Sequence, residues 1–344
     1  MLEGVIFMKN TLTINDIARL ANVSKTTVSF VLNNKEGIGE ETRKKVLSVI
    51  EEYNYKPSLN SLRLNYHKSF TIAVVFEQTD SVFSNLFYAD IMNALLKRCI
   101  RYGYALVYTE FIQNNNERSL PENVLTKDVD GVIFLRDIPA SLVEKLNSIE
   151  MPFVVADDHS EHDAIHAVKA DYRLAALTAV RHLIDQGHQH IGFIGNTTLP
   201  SFHFQVLSGY EKALREAKLP VQPKWFLNNC TDRSSIEEAL DKLLQSEDCP
   251  TAFFCMEDLL AIEVIRCLQK HNKLVPDDFS VIAIDDIILS RFIYPGLTTV
   301  ALDKEQIGRY AIDILMDLIN HKNPKNVVIS SNEIVKRESV KALI

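Results

Sequence analysis

From Thr71 onward, short runs of consecutive apolar residues alternate with helix-length stretches, and this rhythm leaves few folds open. Ile72-Ala73-Val74-Val75-Phe76 has no polar position on either face. A strand with one wet face alternates in polarity. A strand that is apolar throughout needs cover on both sides, the condition met by a parallel sheet between two layers of helices. After a helix through Ile91, Leu95 and Cys99 the pattern returns in Ala105–Tyr108, Gly131–Phe134 and Phe153–Val155. A second series follows in Ile191–Ile194, Ala252–Phe254 and Val281–Ile284. Two series within residues 70–344 predict two α/β lobes. Open parallel sheets bind small molecules beyond the carboxyl ends of their strands, so the expected binding site is a cleft between the lobes.

Composition narrows the class further. The 344 residues are 47% hydrophobic and 24% charged, which excludes a largely disordered chain. No apolar run approaches the roughly 20 residues of a membrane helix. Met1-Leu2-Glu3-Gly4-Val5-Ile6-Phe7 lacks a basic start, a long apolar stretch and a cleavage site, so no export signal is read there and Met8 is the expected start. The 5 cysteines form no CxxC pair and read as reduced, mostly buried thiols in a cytoplasmic protein. Charge is unevenly spread. Residues 1–69 carry ten basic and seven acidic side chains, +3, against −8 for the whole chain, which leaves −11 for the rest. A basic head on an acidic body suits a module that faces phosphates.

Within the head, Thr13 is the expected N-cap of a first helix with Asp16 in its first turn, and Ile14, Ile17, Ala18 and Ala21 form one apolar stripe. Ala21-Asn22-Val23 breaks the pattern and Ser24 caps a second helix. Val28, Val31 and Leu32 face inward on it; Lys25, Thr26, Ser29, Phe30 and Asn33 face out. A third helix is expected from Glu40 to Tyr53, with Val46, Leu47, Ile50 and Tyr53 against the first two. A three-residue connection makes the first pair cross steeply, as in a helix-turn-helix, leaving the second helix free to enter a DNA major groove. Its outward face of small hydroxyls and one lysine permits close approach to phosphates and base edges.

These segments resemble the head of the LacI/GalR family of transcription regulators. The resemblance rests on Thr13-Ile14-Asn15-Asp16-Ile17-Ala18, on Ala21-Asn22-Val23-Ser24-Lys25-Thr26-Thr27-Val28-Ser29-Phe30-Val31-Leu32-Asn33, on Glu41-Thr42-Arg43 and on Tyr55-Lys56-Pro57. It implies that Lys25, Thr26 and Phe30 face base edges. It places Thr13, Ser24, Thr27, Ser29, Asn33, Thr42 and Arg43 near phosphates. Phe30 stands where many members carry arginine, exchanging a guanine contact for one to a thymine methyl. Asn22 replaces a turn glycine and tolerates the left-handed conformation. Residues 57–69 correspond to the family's hinge helix, where Pro57 and Leu64 match its pattern and Ser58, Ser61, Leu62 and Arg63 depart from it. Leu64 is the residue implied to wedge into the minor groove.

The family pattern continues in Asn85-x-Phe87-Tyr88-Ala89-Asp90, Asp130-Gly131-Val132-Ile133, Gly187-His188-x-His190-Ile191-Gly192-Phe193-Ile194-Gly195, Gly209-Tyr210, Val275-Pro276-Asp277-Asp278, Asp285-Asp286 and Pro295-x-Leu297-Thr298-Thr299-Val300. It implies an α/β chain: a helix-turn-helix DNA-binding domain over 11–56, a hinge over 57–69 and a bilobed, periplasmic-binding-protein-like body over 70–344 that senses a small molecule, usually a sugar or a nucleobase. By position, the effector residues are Glu77 and Phe87 from the first lobe, Asp157 at the crossover, and Glu257, Asp258 and Asp285 in the second. Carboxylates accept several hydroxyl hydrogen bonds and so suit polyols. For Asp258, helix capping is an equal reading. Val206 stands where the family has a ligand-anchoring arginine; together with Glu257 this favours a neutral or cationic effector over an anionic one, and it leaves open a reduced or altered effector response.

Other chemistries fit poorly. His159, His162 and His166 lack the further ligand a tetrahedral metal site requires. Gly192 and Gly195 do not make a dinucleotide fingerprint, and neither a nucleophile elbow nor a phosphate loop occurs. The expectation is a regulator, most simply a repressor, without cofactor or metal. Its partners would be double-stranded operator DNA, a small-molecule effector and a second copy of the chain. With no heptad repeat at Lys341–Ile344, a tail-mediated tetramer is not expected. Two alternatives stay open from sequence alone: a sugar-binding or sugar-processing protein whose head makes protein contacts, and a regulator whose effector strengthens DNA binding.

Overall fold

The computed structural model describes residues 12–32, 35–55, 63, 68–76, 85–114, 117–160, 165–246, 248–330 and 333–343. By its internal contacts the chain divides into two units, Met1–Ser69 and Phe70–Ile344.

The first unit is a three-helix head. Helix α1 (Ile14–Leu20) opens on a capping box in which Thr13 and Asp16 bond each other's backbone N–H groups. Asn22 takes φ 47° in the turn, and Ser24 Oγ then accepts the Thr27 N–H at 3.0 Å to start α2 (Lys25–Leu32). Helix α3 (Glu40–Glu52) closes the core, where Ile17, Ala18, Ala21, Val28, Val31, Val46 and Tyr55 are buried. Two expectations fail. Leu47 is 47% and Tyr53 43% exposed. The α-helical period of 3.6 carries the buried stripe from Val46 to Val49 and Ile50, leaving Leu47 about 100° off it. Asn54, at φ 47°, then turns the chain so that Tyr55 fills the place expected of Tyr53.

The second unit contains two parallel sheets among the described residues. Its elements are β1 (Thr71–Phe76), α4 (Leu86–Arg101), β2 (Ala105–Glu110), the small hairpin β3 (Ile112–Asn114) and β4 (Glu117–Ser119), and α5 (Glu122–Leu125). They continue with β5 (Gly131–Leu135), α6 (Ala140–Ser148), β6 (Phe153–Ala156), β7 (Ala167–Ala170), α7 (Tyr172–Asp185) and β8 (Ile191–Ile194). Then come α8 (Pro200–Glu216), β9 (Phe226–Leu227), α9 (Arg233–Leu244), β10 (Ala252–Cys255), α10 (Asp258–Lys270), β11 (Ser280–Asp285), β12 (Thr298–Ala301), α11 (Lys304–Ile319), β13 (Val327–Ile329) and β14 (Glu333–Val335). The first sheet runs β13-β7-β6-β5-β1-β2 and the second β14-β12-β11-β10-β8-β9, with β14 alone antiparallel among these pairings. Strands β1, β5, β6, β8, β10 and β11 are buried at every residue. Strand β2 is an edge and stays partly exposed.

The lobes are not simply the two halves of the sequence. The chain leaves the first sheet after β7, and α7 packs against α8, β11 and β12. It returns after β12, because α11 packs on α4 and beneath β5, β6 and β7, and it crosses a third time between β13 and β14. Two glycines permit the closest helix contacts. A Cβ at Gly209 of α8 would lie 2.3 Å from the Arg173 carbonyl oxygen of α7, and one at Gly308 of α11 would lie 2.7 Å from the Ile91 carbonyl oxygen of α4.

Candidate functional site

On the head, the exposed end of α2 presents Ser24, Lys25 and Thr26, with Thr13 exposed nearby in sequence at the start of α1. Thr27, Ser29, Phe30, Thr42 and Arg43 are half-buried. The Ser24 and Thr27 hydroxyls bond each other at 2.8 Å. Arg43 donates to the Lys35 carbonyl at 2.7 Å, while Lys35 Nζ sits 5.5 Å from the Phe30 ring centre. The same surface thus joins a basic loop to the outward face of α2. Asn33 and Leu64, and most of the 57–69 hinge, lie outside the described residues.

In the body, a small cavity of about 60 Å3 opens where the carboxyl ends of the strands converge. Arg136 follows β5, Asp157 follows β6, Leu199 and Phe202 come after β8, Glu257 follows β10 and Asp285 ends β11. The start of α4 adds Phe87 and Tyr88, held by Asn85 Oδ1, which caps the helix by accepting from the N–H of Phe87 at 3.0 Å. Arg136, Asp157 and Asp285 have φ of 68°, 65° and 129°, a region side chains other than glycine rarely take. Lys304 holds the last of these bends by donating to the Asp285 and Asp286 carbonyls. Backbone strain of this kind gathers at ligand sites, where the surrounding structure must sustain it.

The carboxyl groups here have different fates. Asp285 is 7% exposed with no hydrogen bond to its carboxyl among the described residues. Burial, then the charges of Asp258 and Glu257, push its pKa well up against the pull of Lys304. Burial and the neighbouring Asp258 likewise raise Glu257. Both line the cavity, as does Phe87. Asp258 does not. It is fully buried; Oδ1 accepts from Thr299 Oγ1 at 2.5 Å, and Oδ2 accepts from the Ile287 N–H at 2.9 Å and Ser290 Oγ at 2.5 Å. The expectation that it binds effector is therefore corrected: its oxygens pin the loop after β11.

Asp157 is corrected in part. It lies in the cavity wall, but Oδ1 accepts from Tyr172 Oη at 2.7 Å and Oδ2 from Tyr88 Oη at 2.8 Å. His159 Nε2 stands 3.4 Å from Oδ2. Burial alone would raise Asp157; the charge of His159 and these bonds outweigh it and leave the pKa lowered. Glu77 lies outside the described residues. Val206 is fully buried on α8 and is not among the residues lining the cavity. Sequence reasoning missed Arg136, Tyr172, Phe202 and His159. For His159 a signal exists in Asp157-Asp158-His159 directly after a strand, but in the sequence it reads as one of three histidines. Among the described residues no group of three metal-ligating side chains assembles.

Residues 13–58 match the model of bacterial regulatory proteins of the lacI family, and residues 180–340 that of the periplasmic binding protein-like domain. The HTH-type transcriptional repressor PurR of Photobacterium profundum is 32% identical over 96% of this chain and 99% of its own length. The chain belongs to the LacI family. As a LacI-family protein it is a transcriptional regulator and not an enzyme. Catabolite control protein A of Priestia megaterium is 34% identical over the same shares of the two chains. The lac repressor dimer bound to operator and the anti-inducer ONPF is 24% identical, with TM-score 0.76 over 97% of this chain and all of that one, and this likeness establishes the same fold.

Proposed function

We propose that this LacI-family regulator is a cytoplasmic, homodimeric repressor whose operator affinity is set by a neutral, hydroxylated small molecule, a sugar in the simplest case, bound between the lobes. The head would read the operator through Lys25, Thr26 and Phe30, with Thr13, Ser24, Thr27, Ser29, Asn33, Thr42 and Arg43 at phosphates and Leu64 in the minor groove. One head spans a half-site, so two copies are needed for a palindrome. The lac repressor, a fold neighbour seen as a dimer on its operator, supports the same arrangement. No helix among the described residues is long and apolar enough to cross a membrane.

The observation that carries the effector reading is the cavity at the converging strand ends, whose lining includes Glu257 and Asp285, with no hydrogen bond to either carboxyl among the described residues. Hydroxyl groups are suited to both forms of a carboxyl, because they donate and accept. Fluorescence anisotropy of labelled promoter fragments, at low and then rising salt, tests the reading. Binding should fall steeply with salt and change when a sugar is added. A loss of affinity marks an inducer and a gain marks a co-repressor; no binding to any promoter fragment at low salt refutes the DNA-binding role.

A further inference from the structure

His159 lines the cavity and leaves one hydrogen-bonding demand open among the described residues. Its side chain is 2% exposed and its ring lies 5.0 Å from that of Phe202 and 5.3 Å from that of Tyr172. Both ends of its backbone are fixed: the N–H donates to Asp137 Oδ1 at 2.7 Å, and the carbonyl accepts from Gln205 Nε2 at 2.9 Å. Nε2 faces Asp157, whereas Nδ1 has no hydrogen-bond partner among the described residues. Asp137 Oδ2 stands 3.7 Å from Nδ1, near enough to attract its charge and too far for a hydrogen bond.

An oxygen atom at the apex of a triangle on Nδ1 and Asp137 Oδ2 is within hydrogen-bond reach of both. It must accept from the imidazole and donate to the carboxylate. A hydroxyl does both; a phosphate or carbonyl oxygen cannot donate, and an ammonium cannot accept. We propose that His159 and Asp137 together read one hydroxyl of the effector, and that Asp157 positions this reader through Tyr88, Tyr172 and His159 instead of touching the effector. The assignment rests on the cavity being the effector site. Burial disfavours the imidazolium, but the Asp157 and Asp137 carboxylates outweigh it and raise the pKa to about 9, so Nδ1 carries its proton at neutral pH. Asp137 and Asp157 follow strands of the first sheet, whereas Phe202 and Gln205 belong to α8 of the second lobe. A hydroxyl held here therefore sits where the lobes meet.

The test uses the full chain and isothermal titration with neutral monosaccharides and disaccharides, glucose 6-phosphate and guanine. A neutral sugar should bind. His159→Asn, whose amide can replace Nδ1, should keep that affinity within about threefold, while His159→Gln, which replaces Nε2, should lose roughly 10- to 100-fold. Asp137→Asn retains an oxygen for the His159 N–H, removes the acceptor at Oδ2 and should lose a similar factor, which keeps the test valid if a His159 variant unfolds. Gln retained and Asn lost would mean that His159 serves only Asp157, overturning the proposal. So would guanine or the phosphate binding while every neutral sugar fails, or no sugar binding at all. Sugar binding lost in Asp285→Asn but untouched by the His159 and Asp137 variants would sink this proposal and leave the cavity reading standing. Sugar binding untouched by Asp285→Asn and Glu257→Gln would sink the cavity reading itself.

Discussion

Replacing Asp258 and Asp285 separately distinguishes an acid that builds the fold from one that lines the cavity. Both are buried at the end of the second sheet, and burial raises the pKa of each, that of Asp258 to about 6. Asp258→Ala strands three donors, the Ile287 N–H and the hydroxyls of Ser290 and Thr299. At about 1–3 kcal/mol per orphaned buried donor, and with the two hydroxyls able to rotate, the loss should be roughly 3–5 kcal/mol. That is a large part of the ~5–15 kcal/mol that holds a typical protein folded. Because Asp258 binds its proton more tightly folded than unfolded, its contribution is largest at low pH and declines as pH rises through about 6. The substitution should therefore cost more at pH 5 than at pH 7.5. Asp285→Ala orphans no donor among the described residues and removes a buried acid, so stability should change by less than about 1 kcal/mol. Urea unfolding followed by the fluorescence of Trp225, the chain's 1 tryptophan and buried in the body, reads both. An Asp258→Ala protein as stable as the parent yet unresponsive to effector would refute this division of labour.

Phe30→Ala should alter which operator sequences bind, whereas Lys44→Ala should weaken all sequences evenly or not at all, with a salt slope reduced by about 1 at most; equal effects on preference, measured by anisotropy on a panel of operators, would mean the groove assignment is wrong. Gly209→Ala forces a Cβ into the Arg173 carbonyl, so thermal melts should show a loss of several degrees, consistent with a strain of roughly 1–3 kcal/mol. His159 has a raised pKa, so its contribution is complete below pH 6.5 and is lost as pH climbs through about 9. The unfolding free energy should fall by at most roughly 3 kcal/mol across that window, and His159→Gln should flatten the decline. Lys304→Met keeps the stem and removes the ammonium that holds the Asp285 and Asp286 carbonyls; the effector concentration for half-response should rise several-fold, and an unchanged value would contradict its role.

Much of this architecture is legible from local rules. The strands announce themselves because burial on both faces demands apolar residues without alternation, and Thr13, Asn22 and Ser24 mark the head because cap and turn chemistry is local. The misassignments arise where tertiary geometry decides. Leu47 is as hydrophobic as Ile50, yet it lies off a stripe fixed by where α1 and α2 sit. Asp258 and Asp285 look equivalent at strand ends, and only the return of Ser290 and Thr299 to Asp258 separates them. Asp157 has the position of an effector ligand in the sequence, but two tyrosines distant from it along the chain reach it first. The three crossings between lobes are invisible to a reading that follows the chain, because β13 and β14 are short and join different sheets.

Those crossings bear on how a small ligand could control the head. An effector shifts a conformational equilibrium only as far as it binds one arrangement better than the other. Between the lobes, the protein already supplies Tyr172 to Asp157, Gln205 to the His159 carbonyl, and Lys304 to the carbonyls of Asp285 and Asp286. Each of these partners is in the cavity wall or adjoins a residue that is, so a ligand touching Asp285 or His159 acts on groups that also join the lobes. A ligand that favours the joined arrangement by as little as ~1.4 kcal/mol changes the ratio of arrangements tenfold. The body can thus be sensitive to one additional hydroxyl contact, provided that contact forms where the crossings meet.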